Sequence, residues 1–178
     1  MKSKKGLIKI FRKVILIIII SFVAMLIASP IVRYFIFQPF RVQVGSMIPT
    51  FQEDDTVIVN KLVYRFQKPN RGDVVVFHPP NNGEIYYIKR IIGLPGETIE
   101  VKDGNVFING EQIKEDAYLN IETPGIYGQK ILLENEFFVM GDNRNNSLDS
   151  REFGPIQLSS ISGKVILIIW PLKNAKFI

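Results

Sequence analysis

Ser46 stands in Gly45-Ser46-Met47-Ile48-Pro49-Thr50, and Lys89 follows 43 residues later in Tyr87-Ile88-Lys89-Arg90. Gly45 can take positive φ or let a ligand approach closely, and Pro49 fixes its own φ. A serine on such a turn has a free hydroxyl and an amide available to a developing oxyanion, which suits acyl transfer. The chain has no cysteine and one histidine, His78 beside Pro79 and Pro80. A cysteine nucleophile is therefore excluded, and a Ser-His-Asp triad would rest on a single loop residue. Lysine becomes the leading candidate base by elimination. Taken singly, the hexapeptide also fits a loop with no chemistry, and Lys89 fits a snorkelling surface lysine.

The residues around Lys89 carry the argument further. In an extended segment Tyr87, Lys89 and Ile91 share one face, while Ile88, Arg90 and Ile92 share the other. If both faces are covered, at least one cation is desolvated. Arginine stays protonated when buried, whereas lysine loses affinity for its proton, so only Lys89 could act as the base. Bringing its pKa from about 10.4 to roughly 7 or 8 costs on the order of 4 kcal/mol.

A third constellation, Gly141-Asp142-Asn143-Arg144-Asn145-Asn146-Ser147-Leu148-Asp149-Ser150-Arg151, follows the apolar segment 137–140. Its alternating acids and arginines could form bidentate ion pairs that fix a loop, and its serines and asparagines could donate to a lysine or a substrate backbone. A solvated surface loop is the competing reading. Asp142 and Asp149 lack the companions of a zinc site and do not follow calcium-loop spacing, so no metal is expected.

These segments need elements to hold them. Segments 56–60, 73–77 and 85–92 are rich in β-branched and aromatic residues and bounded by turn residues. Segments 98–102 and 105–109 flank Asp103-Gly104, a strong hairpin signal. Segments 137–140 and 165–170 complete the set, the last as a buried strand. The stretch 110–135 is polar and broken by Pro124, Gly125 and Gly128, fitting a small lobe or an excursion from the main sheet. The outer domain is expected to be mostly β.

Before it, 14–32 is free of charge and long enough for one membrane-spanning helix. Lys2, Lys4, Lys5, Lys9, Arg12 and Lys13 precede it without an acid, which favours a cytoplasmic N-terminus at 1–13 and an extracytoplasmic domain over 33–178. The leucine in Leu26-Ile27-Ala28 argues against a cleaved secretory signal, which prefers small residues there. The aromatic stretch 33–40 fits a membrane interface or a first core strand equally. Of the net charge of +5, the six terminal cations account for all the excess, so no basic groove for nucleic acid is supported. The 178 residues, 47% of them hydrophobic, supply an anchor and one ordinary domain.

Together the segments resemble bacterial type I signal peptidases, or leader peptidases, which are membrane-anchored serine endopeptidases. The resemblance runs from the anchor to about Leu172. It rests on 45–50, Arg71-Gly72-Asp73-Val74-Val75-Val76-Phe77, 87–97 and 141–151, in the family's order. It implies Ser46 as nucleophile, Lys89 as general base, Ser147 as the serine that hydrogen-bonds and orients the lysine ammonium, and Asp142, Arg144, Asp149 and Arg151 as residues that brace the site. It also implies an antiparallel β catalytic core with a smaller inserted β lobe, here about 98–135. The implied substrates are exported preproteins carrying signal peptides, cut on the outer membrane face after small residues at −1 and −3, with neither metal nor organic cofactor. One position departs from the pattern: many members carry serine or threonine where this chain has Val44, so the oxyanion hole is expected to lack that hydroxyl.

Two rivals remain. Self-cleaving Ser/Lys repressors of the SOS response carry a DNA-binding region where this chain has its anchor. A membrane-anchored inactive homologue, or an accessory binding protein in surface-structure assembly, would not need the dyad, yet Ser46 and Lys89 are both present.

Overall fold

The computed structural model describes residues 2–43, 45–80, 85–115 and 123–178. It separates into two compact units, Met1–Phe37 and Gln38–Ile178. Val44, and with it the expectation about the oxyanion hole, lies outside the described residues, as does 116–122 of the expected lobe.

The first unit is one helix, α1 (Lys2–Phe35). Within it Lys9–Pro30, at mean hydropathy 2.6, is long and apolar enough to cross a membrane. Its large side chains, Ile17 and Ile18 among them, are exposed. The helix therefore extends beyond the apolar stretch at both ends, taking in basic residues and part of the aromatic segment.

The second unit is built from strands in the order β1 (Phe37–Arg41), β2 (Thr56–Asn60), β3 (Val74–Phe77), β4 (Tyr87–Gly93), β5 (Thr98–Lys102), β6 (Asn105–Ile108), β7 (Glu111–Gln112), β8 (Tyr127–Ile131), β9 (Glu136–Met140), β10 (Ile156–Gln157), β11 (Ile161–Trp170) and β12 (Lys176–Phe177). Eight make the larger sheet, in the order β1-β2-β11-β3-β4-β9-β10 with β12 on β11. The registered pairs are antiparallel, Val75 lying opposite Lys89 and Ile91 opposite Val139. Among the described residues only single helical turns interrupt this unit, such as Val63–Phe66 and Ser150–Phe153.

Burial follows sequence pattern. β2 alternates, turning Val57 and Val59 inward, as a strand with one covered face should. All four residues of β3 and the last five of β4 are buried, because cores pack on both faces. Val74 and Val76 join Phe51 and Met47 on one side; Val75 and Phe77 join Ile91 and Val139 on the other. β11 starts in this core but runs out of it, and Trp170 is exposed. The expectation of a strand buried to its end is corrected there, since Trp170 has left the covered stretch.

The four-stranded second sheet, in the order β7-β6-β5-β8, is the inserted lobe. Asp103 (φ 50°) and Gly104 (φ 77°) both take the left-handed conformation between β5 and β6, the geometry of a type I′ hairpin. Ile92, Phe138 and Met140 of the larger sheet pack with Ile99, Val101 and Ile108 of the lobe. The lobe is thus part of the domain's core.

Candidate active site

Ser46 sits in a single 3₁₀ turn, Gly45–Met47, and all three residues are buried. Met47 and Phe51 anchor the turn in the core. The small size of Gly45 matters, because a Cβ there would lie 2.9 Å from Ile48 Cδ1. Two donors from one residue fix the turn: the Asn143 amide donates to Ser46 O (3.0 Å) and Asn143 Nδ2 to Gly45 O (3.0 Å). The Ser46 hydroxyl is thereby held by its backbone, independently of its own bonds.

Lys89 projects from the middle of β4 and is 4% exposed. Its Nζ donates to Ser46 Oγ at 2.7 Å, and the Tyr87 ring lies 5.3 Å away. No carboxylate forms an ion pair with it among the described residues. Burial pushes its pKa down to about 8; Asp149 and Asp142 pull upward against this, and Arg151 adds to the lowering. The amine is therefore neutral in a useful fraction of molecules near neutral pH, as a general base requires.

Arg90, the next residue along β4, is buried too, at 9% exposed, so both faces desolvate a cation. Its environment is the opposite one. Nε and Nη2 donate to the two oxygens of Asp142 at 2.9 and 2.7 Å, and the Thr50 hydroxyl donates to the same carboxylate. Arg144 donates from Nη1 and Nη2 to Glu115 (2.8 and 2.5 Å), from Nη1 to Thr123 Oγ1, and from Nε to Gly141 O (3.0 Å). Arg151 donates from Nε and Nη2 to Asp149, both at 2.9 Å, and onward to Pro124 O and Arg144 O. Burial pushes the Asp149 carboxyl up, but the bonds and charge of Arg151, the Gly141 amide and the Ser147 hydroxyl outweigh it and hold the pKa below the usual value.

All the residues expected at the site thus come together. Ser147 differs in detail from what the resemblance implies: its hydroxyl donates to Asp149 Oδ2 (2.8 Å), and it makes no hydrogen bond with Lys89. The Lys89 ammonium is held by Ser46 instead. Ser147 remains adjacent, since a Cβ on Gly141 would overlap both Ser147 Oγ and Ser46 O. Among the described residues no group of three or more His, Cys, Asp or Glu could hold a metal. His78 lies outside the dyad, its ring 4.2 Å from that of Tyr86.

The dyad opens on a groove of about 660 Å³ lined by Pro39, Phe40, Val42, Gln43, Ile85, Tyr86, Ile88, Asn146 and Leu148 as well as Ser46 and Lys89. It has the size of a ligand cleft. One wall comes from β1, the edge strand of the larger sheet among the described residues, and such an edge can bind an extended peptide.

A buried serine, an amine with its proton affinity reduced, and a cleft with a strand edge are what a Ser/Lys endopeptidase requires. The family model described as "Signal peptidase, peptidase S26" matches residues 12–170. The chain belongs to that family. A "Signal peptidase I" of Leptolyngbya laminosa is 39% identical over 80% of this chain and 73% of its own. "Signal peptidase I T" of Bacillus subtilis (strain 168) is 36% identical over 86% of this chain and 84% of its own. A crystal structure of a signal peptidase I from Enterococcus faecalis V583 aligns with 55% of this chain and 97% of its own, at 35% identity and TM-score 0.49. Membership makes this signal peptidase a serine endopeptidase, and the accessory-protein alternative is not favoured.

Several residues of the site are missing from the sequence reading. Thr50 and Asn143 lie inside the quoted motifs, yet neither has a charge to draw attention to it. Glu115 lies in the polar stretch 110–135, 29 residues from Arg144, and no local pattern links the two. Asp73 is another case: it accepts from Tyr64 Oη (2.9 Å), Lys164 Nζ and the Asn70 amide, tying β3 to β11. Burial, with the charge and hydrogen bond of Asp73, pushes the Tyr64 pKa up, so the phenol stays a donor.

Proposed function

We propose that Ser46 is the nucleophile and Lys89 the general base in the cleavage of signal peptides from exported preproteins. The 2.7 Å contact between Lys89 Nζ and Ser46 Oγ in a buried setting supports this reading most directly. In the neutral form of Lys89 the hydroxyl donates to Nζ, so the proton can leave as Oγ attacks the scissile carbonyl. The tetrahedral oxyanion forms beside the Ser46 amide, which donates to none of the described residues. The resulting ammonium returns the proton to the leaving amine. Water, activated by the same amine, then hydrolyses the ester.

Substrate geometry follows from the groove. An extended chain added to β1 would place alternate side chains, such as those at −1 and −3, on the same side toward the cleft. The segment 14–32 is read as the anchor, 1–13 as the cytoplasmic terminus, and 33–178 as the extracytoplasmic catalytic domain. Attachment to the bilayer would confine the search for a preprotein largely to the membrane plane.

The decisive experiment is preprotein cleavage by the purified full chain and by Ser46→Ala. Removing the nucleophile of such a unit lowers kcat by on the order of 10⁴-fold or more. A folded Ser46→Ala protein that cleaves within tenfold of wild type would overturn the assignment.

A further inference from the structure

Arg144 is the largest side chain with less than 2% exposure among the described residues, and its charge is balanced from outside the catalytic sheet. Glu115, only 9% exposed, follows the lobe strand β7. Thr123, 2% exposed, belongs to the lobe as well, its amide donating to Gly104 O (2.7 Å). Both converge on Arg144 Nη1, and Glu115 also takes Nη2. The guanidinium's remaining bond, from Nε, goes to Gly141 O.

Gly141 is where this matters for chemistry. Its amide is held by Asp149 (3.0 Å) and its carbonyl by Arg144. Its α-carbon lies so close to Ser46 O that a Cβ would overlap it. A tilt of the Gly141 peptide would therefore press directly on the nucleophile's turn. Buried ion pairs contribute little net stability against apolar replacements of similar volume, so one retained here is better explained by what it positions.

We propose that Glu115 is a positioning residue for catalysis. By neutralising and aiming Arg144 it fixes the Gly141 peptide against the Ser46 turn, so the inserted lobe keeps Ser46 Oγ in register with Lys89 Nζ. The inference rests on the Ser46/Lys89 reading. It adds a residue from the polar lobe stretch that touches neither substrate nor dyad.

Three variants test it on the full chain, assayed with a preprotein and with a short peptide ester. Glu115→Gln keeps shape but leaves Arg144 unneutralised. Below its melting temperature, kcat is expected to fall about 100-fold, the cost of a displacement near 1 Å in a catalytic group. KM should stay within about twofold, and the loss should be equal on both substrates because the fault lies at Ser46. Glu115→Asp retains the charge and should recover part of the rate. The double variant Glu115→Leu/Arg144→Met removes both charges, and its melting temperature should return to near wild type while kcat stays low. Recovery of kcat together with melting temperature would make the pair merely structural and overturn the proposal. So would a Glu115→Gln enzyme with wild-type kcat, or one whose loss is confined to KM for the preprotein. Ser46→Ala run in parallel separates the two levels: an active Ser46→Ala defeats the dyad itself, whereas an inactive Ser46→Ala beside a fully active Glu115→Gln defeats only the role of Glu115.

Discussion

Lys89 and Arg90 are neighbours on one strand, both buried, and the protein treats their charges in opposite ways. Arg90 meets both oxygens of Asp142, and Arg144 and Arg151 each have a carboxylate in the same bidentate fashion. Lys89 has a hydroxyl and an aromatic ring. The acids that raise its proton affinity, Asp149 and Asp142, are already engaged by arginines. A guanidinium cannot give up its proton, so burying one without an anion leaves a fixed charge stranded; an amine can discharge. The brace is thus built from cations that stay charged, and the dyad around one that need not be.

Breaking each side of this comparison should give effects of opposite sign. With Lys89 at about 8 in the folded protein and about 10.5 unfolded, the unfolded chain binds more protons between those values. Stability therefore rises with pH across that window, and below about 8 the full penalty, about 3 kcal/mol, is present. That is comparable with burying one or two valine or leucine side chains. Lys89→Met should abolish cleavage, match or exceed wild-type stability at pH 7 by up to about 3 kcal/mol, and flatten the rise between pH 8 and 10.5. Denaturant melts at several pH values measure this, and a Lys89→Met protein that still cleaved preprotein would refute the base. Asp142→Asn is the counterpart in the brace. It removes the carboxylate that Arg90 Nε and Nη2 both reach and should destabilise by about 3–5 kcal/mol, with no gain at any pH. A loss below about 1 kcal/mol in the same melts would show that the guanidinium finds water.

What could be read beforehand divides along similar lines. Strands with strong local patterns, such as β2, β3 and β4, and the Asp103-Gly104 hairpin were visible because period and turn chemistry act over a few residues. The pairing of Ser46 with Lys89 could be anticipated too, since elimination left one candidate base and the alternation in 85–92 put Lys89 and Arg90 on opposite faces. The distant partners of Arg90 and Arg144 were not visible. Asp149 lies two residues from Arg151, but Asp142 is 52 residues from Arg90 and Glu115 is 29 from Arg144, and those pairings exist only once the sheets are assembled. β8 was missed because four of its five residues are exposed, which leaves no alternation to detect. Asn109-Gly110 forms a second hairpin, with φ of 54° and 83° and Ile108 opposite Glu111. That signal was present but read only as a strand end, because β7 is two polar residues with no core face.

The smallest expected effect sharpens the comparison most, because it concerns a residue belonging to both sides. Asp149 neutralises Arg151, and it also pulls the Lys89 pKa upward. In Asp149→Asn that upward pull disappears, while Arg151, no longer neutralised, continues to push the same pKa down. Both changes act in one direction. The base limb of kcat/KM, expected near pH 8 in the wild type, should move to lower pH even as the maximum rate falls with a loosened brace. A pH profile on a short peptide ester separates position from height, since the limb reports the free enzyme's base. A limb that stayed in place or moved upward would mean that the amine does not sense this carboxylate, and that its discharge is set without it.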